Sequence, residues 1–274
     1  MKIEVSVGNR KCQNRSQKKL NLTKKKRTPK YAETYLKMRN DDQIMADETE
    51  EKKVSSGSDV FDEFLGGGFE KGIVTTIYGP GGSGKTNLCM FPLIRMAGTG
   101  KKIVYIDSES SFSIERLKQI TKYYEKVLEN TLFFHPYSFE EQKKIFDQIF
   151  TLLNKNIGLV IVDTISMLYR LELGQTRDVQ NLNAELVRQI AVLMRCAGEY
   201  NIPIIVTNQV YADFNDKERV NMVGGDILKN GSRCLIELEK LAGNHRRAHL
   251  RKHRSLPEQN LDFSIVEKGF EKKK

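Results

Sequence analysis

A glycine-rich octapeptide at residues 79–86 constrains this chain more than any other stretch. Its letters, GPGGSGKT, fit the phosphate-binding P-loop pattern G-x-x-x-x-G-K-[ST]. An apolar run at residues 73–78 precedes it and predicts a buried strand, and a helical pattern at 85–98 follows it. Strand, loop and helix in this order are the context that the motif needs, so we predict a phosphate-binding turn rather than a chance glycine-rich turn.

The residue types of this loop suit a nucleotide. Glycines allow successive backbone N–H groups to turn toward a phosphate, and the following helix adds partial positive charge. Lys85 can reach the outer phosphates and the Thr86 hydroxyl can ligate Mg²⁺. The predicted nucleotide-binding residues are Gly79, Pro80, Gly81, Gly82, Ser83, Gly84, Lys85 and Thr86.

Length and composition exclude several other classes of protein. The chain has 274 residues with 39% hydrophobic content, enough for one large α/β domain with an extension. An apolar run of about 18 residues, which a membrane-spanning helix needs, does not occur. The basic N-terminus lacks the apolar segment of a secretory signal. The four cysteines are far apart, which favours a reduced, cytoplasmic protein over a disulfide framework.

Positive charge is concentrated in the N-terminal tail. The whole chain carries +10, and residues 1–44 hold 13 Lys and Arg against 4 Asp and Glu, a net of +9. Residues 1–53 contain neither Phe nor Trp, and we predict that they are disordered. Two interpretations stay open: a basic arm that binds nucleic-acid phosphates, or a solvated extension that does not belong to the working protein.

Alternating apolar runs and helical patterns follow the P-loop. Predicted strands cover residues 102–107, 131–135, 159–163 and 203–207, and predicted helices cover 58–65, 113–128, 139–153 and 179–200. Such alternation indicates a mostly parallel sheet flanked by helices on both faces. From residue 233 onward, alternating segments at 235–238, 248–252 and 262–266 predict antiparallel additions. The predicted parts are the extension 1–53, an ATPase core 54–270 and a charged tail 271–274.

Three polar residues at strand ends could complete a hydrolytic site. Asp163 follows four apolar residues, as a carboxylate that holds Mg²⁺ does, although it could be an ordinary strand-ending acid. Glu109 lies two residues beyond the strand that ends at Asp107 and could act as general base. Gln209 ends the last apolar strand and could bind a γ-phosphate. For Glu109 and Gln209 a purely structural role is the alternative.

Several dispersed motifs resemble the RecA/RadA/KaiC group of ATPases. They include Leu65-Gly66-Gly67-Gly68 and the P-loop, while Tyr105-Ile106-Asp107-Ser108-Glu109 and Thr207-Asn208-Gln209-Val210 are similar to the archaeal–eukaryotic recombinase branch. The resemblance covers roughly residues 54–267, without a helix-hairpin-helix domain before the core, and is to the RadB subfamily. It implies a RecA-like P-loop NTPase core that binds ATP with Mg²⁺ held by Thr86 and Asp163. Glu109, Lys85 and Gln209 would be the catalytic residues.

The resemblance also implies DNA contacts. Gln209 would couple the γ-phosphate to DNA-binding loops at about 169–178 and 211–223. The candidate DNA-binding residues there are Arg170, Arg177, Tyr211, Lys217 and Arg219. Arg and Lys suit phosphate contact, and Tyr211 could stack on a base. Without the resemblance, both loops would be plain polar connectors.

Two departures from the family pattern qualify this picture. Recombinases of this branch usually have Gly after the catalytic Glu, whereas Ser110 stands here. A Phe-x-x-Ala motif before the core, which docks into a neighbouring protomer, is missing because the first Phe is Phe61. We therefore expect weak ATPase activity and no strand exchange.

Residues 244–254 form the densest basic stretch of the core, with three of the four histidines. Alternation places Arg247, His249 and Arg251 on one strand face, with Arg246, Ala248, Leu250 and Lys252 on the other. Arg251, Lys252 and Arg254 are candidates to act on a neighbouring protomer's nucleotide. DNA backbone contact and a solvated edge strand are the alternatives.

Three functions compete on this basis. The first is an ATP-dependent DNA-binding protein of repair and homologous recombination, acting on single-stranded or branched DNA at the nucleoid. The second is a nucleotide-gated scaffold for the recombinase RadA or for a structure-specific nuclease. A small-molecule P-loop kinase is the least favoured, because no lid-like Arg-rich insertion is visible.

Overall fold

The structure, a computed structural model, describes residues 52–212 and 220–273. Its helices, in chain order, are α1 (Asp59–Phe64), α2 (Lys85–Gly98), α3 (Ile114–Ile120), α4 (Tyr124–Glu129), α5 (Phe139–Leu152), α6 (Met167–Leu173), α7 (Val179–Tyr200) and α8 (Gly225–Gly231). Its strands are β1 (Lys53–Val54), β2 (Phe69–Glu70), β3 (Val74–Gly79), β4 (Lys102–Asp107), β5 (Thr131–Phe134), β6 (Ile157–Asp163), β7 (Ile204–Ala212), β8 (Val220–Met222), β9 (Cys234–Lys240), β10 (His245–Lys252), β11 (Gln259–Val266) and β12 (Gly269–Lys272).

One large mixed sheet organises these elements. Its strand order is β12-β11-β10-β9-β3-β7-β6-β4-β5, and β8 pairs with the outer part of β7. The strands from β9 through β3, β7, β6 and β4 to β5 are mutually parallel. The strands β10, β11 and β12 continue the sheet in antiparallel fashion. This is the predicted architecture of a mostly parallel sheet with antiparallel C-terminal strands.

The central strands are buried on both faces, which explains why they are nearly continuous apolar runs. One apolar layer packs α1 and α2 against the sheet and includes Phe61, Leu88 and Ile161. The opposite layer packs α5 and α7 against it and includes Phe146 and Leu193. Among the described residues, no helix is both long and apolar enough to cross a membrane.

Three local expectations differ from the structure. The helix expected over 113–128 is broken into α3 and α4, because Thr121 adopts an extended backbone with φ −142° and ψ 140°. The strand expected over 203–207 continues to Ala212, where it gains β8 as a partner. The segment 235–238 was expected to add in antiparallel fashion, but β9 lies parallel to β3 and only its other edge pairs antiparallel, with β10.

Candidate nucleotide site

The sheet order brings the predicted site residues to one edge. The strands β3, β7, β6 and β4 are consecutive neighbours, and Gly79 lies opposite Gln209 while Asp107 lies opposite Asp163. Because these strands are parallel, their carboxyl ends meet at the same edge, where α/β sheets bind ligands. The P-loop and the three predicted polar residues therefore converge.

Two glycines of the P-loop occupy positions that a side chain would not tolerate. A Cβ on Gly79 would lie 2.2 Å from the Leu238 carbonyl oxygen of neighbouring β9. Gly84 has a φ of +103° at the N-cap of α2, and a Cβ there would lie 2.7 Å from Cδ1 of Ile265. Close packing and left-handed backbone thus both require glycine in this loop.

Lys85 is folded over the loop that it follows. Its ammonium group donates to the carbonyl oxygens of Gly79 at 2.9 Å and Pro80 at 3.0 Å. Burial lowers the pKa of Lys85, while the nearby carboxylates of Glu109 and Asp163 oppose that shift. The sequence-predicted lysine is therefore a desolvated cation at the loop, facing two acids.

Asp163 lies at the end of β6 in a cage of hydroxyl groups. Its Oδ2 accepts hydrogen bonds from Thr86 at 2.8 Å, Tyr105 at 2.9 Å and Ser111 at 3.2 Å. Its Oδ1 accepts from the Thr207 hydroxyl. The carboxylate is only 1% exposed and has several donors, as a buried charge requires. The Thr86–Asp163 contact joins the two predicted Mg²⁺ ligands directly.

Glu109 and Gln209 contact each other across the site. Gln209 Nε2 donates to Glu109 Oε1 at 2.6 Å, and the Thr164 hydroxyl donates to the same oxygen at 3.3 Å. Burial, followed by the charge of Asp163, raises the pKa of Glu109. A carboxyl whose pKa is shifted toward neutrality is better suited to accept a proton than an ordinary surface Glu.

The turn that carries Glu109 is held by the strand before it. Asp107 accepts hydrogen bonds from the backbone N–H groups of Ser111 and Phe112, each at 3.1 Å. Within this turn Ser110 has a φ of +51°, the left-handed region that favours glycine. The serine that replaces the glycine usual at this position in the family therefore keeps a backbone conformation that glycine adopts more easily.

Comparison with known proteins decides the family. The Rad51 family matches residues 49–273. The chain belongs to the Rad51 family. A relative from Methanocaldococcus jannaschii, called "DNA repair and recombination protein RadB", is 43% identical over 211 residues, which cover 76% of this chain and 97% of the relative. A relative of the same name from Methanococcus maripaludis is 42% identical over 215 residues, covering 77% of this chain and 97% of the relative.

A solved structure agrees with this Rad51-family assignment. The crystal structure of a RadB recombinase superposes with a TM-score of 0.68 at 36% identity, covering 79% of this chain and 98% of that one. The RecA-like fold and the resemblance to the RadB subfamily, both predicted from the sequence, are confirmed.

Three of the five candidate DNA-binding residues are described, and they lie in separate segments of the chain. Arg170 is exposed on α6, so the first half of the loop expected from residue 169 is helical. Arg177 is exposed in the connection between α6 and α7, and Tyr211 is 46% exposed near the end of β7. Lys217 and Arg219 lie outside the described residues.

The cations of the basic segment have intrachain contacts. Arg251 pairs with Glu237 at 2.6 Å, and Arg254 lies 3.5 Å from Glu70. Lys252 donates to the Lys229 carbonyl oxygen at 2.9 Å. To act on the nucleotide of a neighbouring protomer, as the resemblance implies, these cations would have to give up their intrachain contacts for contacts with that nucleotide.

Sequence reasoning missed three residues of this region. Tyr105 and Thr207 donate to Asp163, and Arg246 contacts the P-loop through the Gly82 carbonyl oxygen. In the sequence Tyr105 and Thr207 belong to predicted strands and to the motifs of the family resemblance, without a role of their own, and Arg246 is one cation in a basic run. Their roles depend on strand register, which the local sequence pattern does not reveal.

Proposed function

We propose that this chain is a DNA repair and recombination protein that binds ATP and DNA, hydrolyses ATP slowly and uses the state of the nucleotide to set DNA affinity. The observation that carries this proposal is the 2.6 Å hydrogen bond from Gln209 to Glu109. It joins the candidate catalytic carboxylate to the strand that leads into the candidate DNA-binding segment at 211–223. The names of the Rad51-family relatives support the repair and recombination role.

The donor set of the site fits a nucleotide with Mg²⁺. The Thr86 hydroxyl and the Asp163 carboxylate are adjacent oxygen ligands of the kind that Mg²⁺ prefers. Ser83 Oγ is buried within the P-loop without a hydrogen-bond partner among the described residues. Its hydroxyl is therefore available to donate a hydrogen bond to a bound phosphate. Bound Mg²⁺ would supply neutralisation of phosphate charge. Lys85 would exchange its two loop carbonyls for phosphate oxygens.

Glu109 is the group that we assign to proton transfer. Burial raises its pKa, which makes it a stronger base than an ordinary surface Glu, and the hydrogen bonds from Gln209 and Thr164 orient its carboxylate. Both donors bond the Oε1 atom, so an attacking water would be held by Oε2. The two hydrogen bonds also work against the raised pKa of Glu109, and a base weakened in this way is consistent with slow turnover.

Gln209 offers a physical route from the nucleotide to DNA. It lies on β7 opposite Gly79 of the P-loop, and two residues later Tyr211 is exposed on the same strand. Beyond Ala212 the chain returns as β8, with Met222 paired to Val210. A γ-phosphate that attracts the Gln209 amide away from Glu109 would displace this hairpin. Arg170, Arg177, Tyr211, Lys217 and Arg219 remain the proposed DNA contacts.

A scaffold role is the second candidate. Here ATP would set binding to RadA or to a structure-specific nuclease, and turnover would hardly matter. The two hydrogen bonds on Glu109 Oε1 also suit this alternative, because they work against the raised pKa that a catalytic base needs.

ATP turnover with and without single-stranded DNA separates these candidates. For the proposed function we expect slow turnover that single-stranded DNA stimulates and that Glu109→Gln reduces. Turnover that DNA leaves unchanged, together with DNA binding that ignores ATP, would reject the proposed function. ATP-dependent binding to RadA with no DNA response would instead support the scaffold.

A further inference from the structure

Arg246, at the start of β10, is a buried cation against the P-loop. Its side chain belongs to a residue only 9% exposed, on the strand face that packs inward. The guanidinium donates twice to the Gly82 carbonyl oxygen, from Nη2 at 2.9 Å and from Nε at 3.2 Å. Nη1 donates to the carbonyl oxygens of Gly243 at 3.1 Å and His245 at 2.7 Å. All four hydrogen bonds end on backbone oxygens, those of Gly82, Gly243 and His245.

Among the described residues, Arg246 differs from Arg247 and Arg251 in having no carboxylate partner. Arg247 forms a bidentate pair with Asp262, with contacts of 2.6 Å and 2.8 Å, and Arg251 pairs with Glu237. Within residues 52–212 and 220–273, Arg246 is in no ion pair with a carboxylate. A desolvated guanidinium without a carboxylate partner exerts a stronger field at the loop that it touches than a paired one would.

The contact with Gly82 fixes the orientation of one peptide group of the P-loop. In a trans peptide the C=O and the following N–H point in opposite directions. Because the Gly82 carbonyl points to Arg246, the Ser83 N–H points to the other side, where it donates to the Pro80 carbonyl oxygen at 3.2 Å. That side is the concave face of the loop, because Lys85 also donates to the Pro80 oxygen.

We propose that Arg246 is a positioning residue of the P-loop, which it holds in a phosphate-accepting shape while placing a second positive charge behind it. This inference rests on the proposed ATP binding. Arg suits the task better than Lys, because its planar fork makes several bonds at once in a fixed geometry. Within the described residues no carboxylate pairs with Arg246, so its charge is available to the phosphates of a nucleotide.

A matched pair of variants tests this role. Arg246→Gln and Arg247→Gln remove the same charge at adjacent positions of one strand, but only the first touches the P-loop. We expect Arg246→Gln to weaken ATP binding about tenfold or more, the loss typical of charge-assisted hydrogen bonds, and Arg247→Gln to stay within about twofold of the unaltered protein. Titration of each full-length protein with a fluorescent ATP analogue, with unlabelled ATP as competitor, measures this.

Two further readouts separate positioning from general loss of structure. The affinity for ADP should fall less than the affinity for ATP, because the missing charge acts on fewer phosphate charges. Amide hydrogen exchange without nucleotide should be faster at residues 79–86 in Arg246→Gln than in Arg247→Gln, since Ser83 N–H loses its fixed orientation. This second readout does not depend on nucleotide binding.

The outcomes are distinguishable. Equal ATP affinities for the two Gln variants, with equal exchange at 79–86, would overturn the role of Arg246 and leave the proposed function intact. Absence of ATP binding by the unaltered protein would contradict the proposed function and this role together. If Arg246→Gln does not fold, Arg246→Lys against Arg247→Lys decides: weaker ATP binding in Arg246→Lys supports the role, and equal binding rejects it.

Discussion

Removal of the Tyr105 hydroxyl tests the hydroxyl cage around Asp163. In Tyr105→Phe the carboxylate loses one donor, at 2.9 Å, but keeps Thr86, Ser111 and Thr207. Burial and the charge of Asp163 raise the pKa of Tyr105 well above its usual value, so its hydroxyl is a donor at every working pH. A hydrogen bond to a charged group contributes about 1.5–3 kcal/mol to stability. Because three other donors still satisfy the Asp163 carboxylate, we expect a loss at the low end of that range, about 1.5 kcal/mol.

Chemical denaturation and Mg²⁺ titration measure the two consequences. The free energy of unfolding should fall by about 1.5 kcal/mol, which lowers the Tm by roughly 3–6 °C for a domain of this size. The Mg²⁺ concentration for half-maximal ATP binding should rise about tenfold, because an outer partner of a metal ligand typically contributes that much to metal affinity. Binding of ATP without Mg²⁺ should hardly change.

Tyr137→Phe is the matched control. Tyr137 is 79% exposed, and loss of its hydroxyl should leave both measurements unchanged. If Tyr105→Phe behaves like Tyr137→Phe in unfolding, the Tyr105–Asp163 bond contributes no stability. If only the Mg²⁺ midpoint is unaffected, the Tyr105 hydroxyl stabilises the fold without adjusting the metal affinity of Asp163.

Three other substitutions probe the same site. Lys85→Ala should reduce ATP affinity at least about tenfold through loss of charge-assisted bonds to phosphate, and unchanged affinity in a nucleotide titration would contradict the P-loop assignment. Turnover should fall as pH decreases through the raised pKa of Glu109, because the base must be ionised, and Glu109→Gln should remove that acid limb while leaving ATP binding intact. Ser110→Gly should raise the free energy of unfolding by about 0.5–1 kcal/mol by relieving the left-handed φ of +51°, whereas Ser110→Ala should not; equal unfolding midpoints would show that the turn is unstrained.

The sequence predicted the P-loop and its three polar partners because parallel strands end at a common edge. Gly79, Glu109, Asp163 and Gln209 could be placed together from that rule alone, without knowledge of side-chain contacts. The structure adds that Glu109 and Gln209 are bonded to each other. The sequence could not predict this hydrogen bond, because it depends on the rotamers of both side chains and on the backbone turn at Ser110.

Other features were beyond local patterns for identifiable reasons. The break at Thr121 has no Gly or Pro to mark it, so one continuous helix was the natural prediction. The parallel pairing of β9 with β3 depends on distant chain connections. Arg246 was one letter in a basic run, which usually indicates a solvated face, and only the register of β10 shows that it faces the P-loop.

The affinity for single-stranded DNA with and without ATP, in the unaltered protein and in Gln209→Ala, tests the central claim most directly. The account predicts that ATP with Mg²⁺ changes DNA affinity in the unaltered protein. It also predicts that Gln209→Ala loses this response while its ATP affinity falls far less than in Lys85→Ala, since Gln209 would contact only the γ-phosphate and the P-loop would hold the nucleotide. An ATP response of unchanged size in Gln209→Ala, or none in the unaltered protein, would contradict the account.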